Sequence, residues 1–189
     1  MRKHFETVYK RLIEANLSEN TLCKEFWMKI KKLHANFNEE DCWSLLVENI
    51  EWCINTGTMT TEDLIKWFTP DQLNAHGIYI SGNIKINSGF AIGIGDVCIE
   101  AVGHSKVILF DTAICKAFDT SFVKGFHESS MEINNCVGEA FNFCNVIAKD
   151  FSKIEAWDDA TVEAQTYTCV MAHDRAQVEN SYHSHTLVV

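Results

Sequence analysis

The feature that most constrains this chain is a repeat of eight residues. From Gly95 the sequence divides into GDVCIEAV, GHSKVILF, DTAICKAF, DTSFVKGF, HESSMEI, NNCVGEAF, NFCNVIAK, DFSKIEAW, DDATVEAQ, TYTCVMAH, DRAQVENS and YHSHTLVV, eleven units of eight residues and one of seven. A fixed period of this kind means that one small structural unit stacks on copies of itself. The third column is small throughout, from Val97, Ser105 and Ala113 to Ala176 and Ser184, and the fifth is mostly β-branched. The seventh is Ala in seven of the twelve units. Residues two apart on a strand share a face, so columns three, five and seven point one way, while the first column, rich in Asp, Asn and Gly, makes the turn.

Small side chains flanking a medium one describe a narrow interior. Two short arms facing each other close one coil of sixteen residues, and twelve arms give six coils, a rod of ~29 Å at the ~4.8 Å strand spacing. The expectation is a parallel β-solenoid, each coil hydrogen-bonded to its neighbours. Facing arms are supported by volume: Met131 is the one outsized residue of the fifth column, and Gly138, in the next unit, is the one empty position. A β-sandwich with turns every eight to twelve residues does not account for a column of Ala and Ser.

Upstream the period changes. Phe5, Val8, Tyr9, Leu12 and Ile13 recur at helical spacing, as do Leu22, Phe26, Ile30 and Leu33 after SENT, where Ser18 is placed to cap. A third helix is expected to open at Asn38, with Glu39, Glu40 and Asp41 at the favourable end of its dipole, and to stop at NTG. Thr60 and Thr61 precede a short fourth, EDLIKWF, and Pro70 starts a turn ending at Gly77. Trp27, Trp43, Trp52 and Trp67 read as the core of this helical part. After Gly77 alternation takes over and Pro never recurs, which favours uninterrupted ladders. The fold class is therefore α+β: residues 1–77 a helical unit and cap, residues 78–189 a β-solenoid of about six 16-residue coils.

The units DDATVEAQ and DTSFVKGF resemble the octapeptides of bacterial ice-nucleation proteins, which pair two eight-residue arms into sixteen-residue coils. They are still more similar to uncharacterised bacterial and phage proteins that carry helices before strings of N-A-T-V-E-A-type repeats. The resemblance covers residues 80–189 and implies the fold. It does not imply ice binding: the outward positions hold Cys98 and Glu100, Lys106 and Ile108, Lys153 and Glu155 in place of regular Thr ladders. Hexapeptide acyltransferases need a period of six, and pectin-lyase-like enzymes longer coils with protruding loops; neither pattern is present.

Alternate units lie on opposite sides, so the outward residues sort into two faces. One displays Asp96, Glu100, Glu128, Glu132, Asp159, Glu163 and Glu179, interrupted by Lys116 and Arg175. The other displays Ile108, Phe122, Val137, Phe151, Tyr167, Cys169, Met171 and Leu187, an apolar stripe that calls for a cover. The helical part, a second copy in a homodimer, or a host protein target could supply it, and YHSHTLVV shows no evident cap, so contact at that end is also expected. The expected function is that of a non-enzymatic interaction rod, homodimeric, with Ile108, Phe122, Val137, Phe151, Tyr167 and Met171 as the binding residues.

Two alternatives compete with it. The acidic face could imitate nucleic acid and inhibit a DNA-binding protein. The C-terminal Cys169, His183 and His185 could hold a metal or do chemistry. Otherwise no cofactor is expected: GFAIGIG lacks the G-x-G-x-x-G order and the helix that should follow it. A formal charge of -10 argues against direct nucleic-acid binding. No apolar run long enough for a membrane span occurs, and eight cysteines without a CxxC pair fit reduced thiols, so a cytoplasmic protein is expected.

Overall fold

The computed structural model describes residues 1–15, 22, 24–181 and 183–189. The chain divides into two compact units, Met1–Thr69 and Pro70–Val189. Ser18, the expected cap, lies outside the described residues.

The first unit holds α1 (Arg2–Glu14), α2 (Lys24–Ala35), α3 (Glu39–Asn55) and α4 (Thr61–Trp67). The start signals operate as polar side chains that satisfy free N–H groups of a first turn. Asn38 Oδ1 accepts from the Asp41 N–H at 2.9 Å, and Thr60 and Asp63 form a reciprocal capping box. Trp43 is buried, while Trp27 and Trp52 are partly buried against Leu12, Leu22 and Ile30. Trp67 is also partly buried, stacked on His4 at 4.8 Å with the Arg11 guanidinium 5.6 Å from its ring centre.

Arg11 also pairs with Asp63 and donates to the Thr58 carbonyl at 3.2 Å, so one cation ties α1 to the start of α4. Burial pushes the Asp63 carboxyl up, but the Arg11 hydrogen bond and the Thr60 N–H outweigh it and hold the group below its ordinary value. A carboxylate depressed in the folded state adds stability that is complete above its unfolded pKa of about 3.9 and disappears as pH falls through the folded value. Asp63→Asn is therefore expected to cost about 2 kcal/mol at pH 7 through cap and pair together, and far less at pH 2. Helical circular dichroism during thermal unfolding at the two pH values measures the difference.

The second unit begins with the one-turn α5 (Pro70–Asn74) and continues as β1 (Ile78–Phe110), β2 (Ile114–Ala117), β3 (Phe122–Gly125), β4 (Ser130–Asn134), β5 (Val137–Ala140), β6 (Asn145–Lys149), β7 (Lys153–Ala156), β8 (Thr161–Ala164), β9 (Cys169–Ala172), β10 (Gln177–Asn180) and β11 (His185–Val188). The strands pair in the order β10-β8-β6-β4-β2-β1-β3-β5-β7-β9-β11, all ladders parallel. Even-numbered strands form one wall, odd-numbered strands the other, and β1 joins them. This is a parallel β-solenoid of about six turns at ~16-residue spacing. The period begins before Gly95: Lys85 reaches Glu100 at 2.5 Å, and a Cβ on Gly103 would meet the Asn87 carbonyl at 2.7 Å.

The inward columns are those the octads assign. Val123 and Val162 are buried, and Val178, in the last coil, is partly buried; Glu163 and Glu179 face out. Met131 is buried, and its methyl lies 3.7 Å from where a Gly138 Cβ would stand, so the two facing columns do share volume.

The turns explain the first column. Asp111, Asp119, His127, Asn142, Asp150 and Asp158 all have φ between 55° and 64°, the left-handed conformation that Asn and Asp tolerate best after Gly. Their side chains also serve the coil before them: the His127 N–H donates to Asn142 Oδ1 at 3.1 Å and the Asn142 N–H to Asp158 Oδ2 at 2.9 Å. Third-column hydroxyls close the same turns, Ser121 and Ser152 donating to carbonyls three residues back at 2.9 and 2.7 Å. The seven-residue unit is placed differently from the octad division. The left-handed residue is Asn135, directly before Cys136, so the missing residue belongs to the turn of 135–141 and β4 keeps five residues. A turn can lose a residue; a strand cannot without turning its side chains to the other face.

Candidate interaction surfaces

The wall of odd-numbered strands does not carry a continuous apolar stripe. Ile108 is 5% exposed, because Val107–Phe110 is the stretch of the first coil buried on both faces. It is therefore removed from the set of surface contact residues. Phe122 is half-buried, and the Lys106 ammonium lies 5.9 Å from its ring centre and 5.8 Å from that of Phe90. Lys124 and Glu139 pair at 2.9 Å. Val137 and Met171 are exposed, but Lys153 and Glu155 stand between them on β7.

Phe151 and Tyr167 occupy second-column positions, at the turn entering β7 and β9 rather than on the strands. Residues sixteen apart lie directly above one another, so their rings stack, 5.3 Å between centres and 8° from parallel. His183 continues the stack at 5.2 Å and 2°. Phe151 is 69% exposed and Tyr167 49%. A second ladder, Phe110, Phe126, Phe141, Trp157 and His173, runs along the opposite corner with its first two rings buried.

The stacking of His183 bears on the proposed metal set. Cys169 and His185 are register partners on β9 and β11, both exposed, but His183 sits in the turn at φ 66° with its ring on Tyr167. Among the described residues no group of three or more His, Cys, Asp and Glu is placed to hold a metal ion. Cys42, Cys53, Cys115, Cys136 and Cys144 are buried. Burial pushes Cys144 up to about 12 and raises Cys115 as well, the opposite of what a nucleophile or ligand requires.

Three of the seven carboxylates of the acidic face, Glu100, Glu132 and Asp159, are paired with cations of their own or neighbouring coils. Glu100 pairs with Lys85, and Glu132 lies between Lys149 at 2.6 Å and Lys116 at 3.7 Å. The Lys149 hydrogen bond holds the Glu132 carboxyl below its ordinary value. Arg175 grips Asp159 through two bonds of 2.7 and 2.6 Å, and Glu163 accepts from Gln165 at 2.6 Å. Asp96, Glu128 and Glu179 remain exposed around these pairs. Glu163 and Glu179 are register neighbours on β8 and β10, so the exposed carboxylates without a cation include one adjacent pair.

Two of these pairs are legible in the sequence: Lys116 with Glu132 and Asp159 with Arg175 are sixteen apart, one coil. Among the described residues no helix is long and apolar enough to cross a membrane. Comparison of the chain with protein-family models, with curated proteins and with solved structures finds no match.

Proposed function

We propose that this protein is a non-enzymatic interaction module of the cytoplasm that works through the outer surface of its solenoid and associates with itself. The observation that carries the reading is the exposed ring stack of Phe151 and Tyr167. Two aromatic side chains held parallel by the coil repeat, with half to two-thirds of their surface in water, offer a large apolar area already ordered. Such groups dominate binding energy where they become covered, because little conformational freedom is lost. The raised thiols support a reduced, non-catalytic role for the buried cysteines.

Phe151→Asp tests the reading. Light scattering on the purified chain is expected to show an oligomer that this change weakens by about tenfold or more, with the β-sheet dichroism unchanged because the side chain packs only on the outside. A wild-type chain that stays monomeric, or an oligomer indifferent to Phe151→Asp, counts against it.

A further inference from the structure

The odd-strand wall satisfies its charges everywhere except on β7. Lys106 lies between two aromatic rings and Lys124 pairs with Glu139. Lys153 and Glu155, two residues apart and both exposed, make no side-chain hydrogen bond or ion pair among the described residues. The ladder shows why. Lys153 is stacked between Val137 and Cys169, neither of which can take its charge. Glu155 is stacked on Glu139 and under Met171, a like charge on one side and an apolar group on the other. Each ion lacks its counterpart within the coil stack, and each is the counterpart the other requires.

A second copy can supply both at once. A twofold axis parallel to the stacking direction and passing over the fifth column exchanges the fourth and sixth columns at equal height. It brings Lys153 of each copy opposite Glu155 of the other, with Cys169 opposite Met171 and His185 opposite Leu187. An axis along the strands instead superposes each column on itself, and the fourth column of this wall contains no acid. Self-complementarity of this kind is what an isologous interface demands, and facing sheets at about 10 Å leave room for the two side chains to meet. The buried Ile108 leaves β1 outside the contact.

We infer that the odd-strand wall is a homodimer interface in which Lys153 of one copy pairs with Glu155 of the other. This rests on the self-association proposed above and adds which face carries it and which charges set its register. Lys153→Glu and Glu155→Lys, each measured by sedimentation equilibrium on the full chain, are expected to weaken the dimer at least ~10-fold by facing like charges. The two single variants mixed together should form a heterodimer, and the double variant Lys153→Glu/Glu155→Lys should dimerise like the wild type. Circular dichroism controls for folding, both positions being exposed.

Single variants that dimerise normally overturn the inference, as do single variants that dissociate without rescue in the mixture and the double variant. If Phe151→Asp dissociates the oligomer while the charge variants do not, this inference fails and the proposed function stands. A monomeric wild type overturns both.

Discussion

Met131→Ala is expected to destabilise the solenoid by about 3 kcal/mol, within the range for emptying a packed apolar site. Met131 is 2% exposed and fills the space that Gly138 leaves open on the facing wall. Its sulfur also lies 3.2 Å from where a Cβ on Gly125 would stand. Two missing side chains thus surround one long one, and truncating it leaves a void that short neighbours cannot close. Gly138→Ala alone is expected to be unfavourable too, since its Cβ would stand 3.1 Å from the terminal carbons of both Ile133 and Ile154. With Met131 shortened, those isoleucines gain room to shift, so the double variant should cost less than the sum by about 1 kcal/mol. Urea unfolding of the four proteins measures the coupling. Strict additivity would mean that the two columns do not share volume.

A larger effect is expected from Val162→Asp. Val162 is 2% exposed and stacked between Val146 and Val178, so the substitution places a carboxyl inside an apolar column with no partner on either side. The expected cost exceeds about 4 kcal/mol. Because each coil contacts only its neighbours, the loss should be regional. Hydrogen exchange should lose protection around β8–β11 while β2 and β3 keep theirs. Glu163→Ala, one residue along and on the outside, should stay within about 0.5 kcal/mol of wild type. Equal effects at the two positions would contradict the inward–outward alternation on which the fold rests.

Much of this architecture is written in local chemistry. The left-handed residue at most turns favours Asp, Asn and Gly in the first column, with His127 the one imidazole there; at Tyr167 and His183 the left-handed residue stands in the second column instead. A space one side chain wide restricts the inward columns, and Asn38 and Thr60 announce their helices because free N–H groups need acceptors. The octads misplaced one detail, the short turn at Asn135, because the inward columns stay in phase whichever turn loses the residue. The surface was harder to read. Alternation alone puts Phe151 and Tyr167 on one face with Val137 and Met171, whereas the turn carries the first pair to the corner. Ile108 obeys the outward phase and is nevertheless buried.

The sequence by itself determined the solenoid, its period, and which residues line its interior, since a repeat of eight fixes every neighbour sixteen positions away. What only the tertiary structure decided was the state of the outer residues: which carboxylates are tied up by cations, which rings stack in the open, and which outward side chain is covered. Interior positions are dictated by the coil's own backbone, whereas an outer side chain answers to whatever lies beside it in space, and a column of letters does not record that.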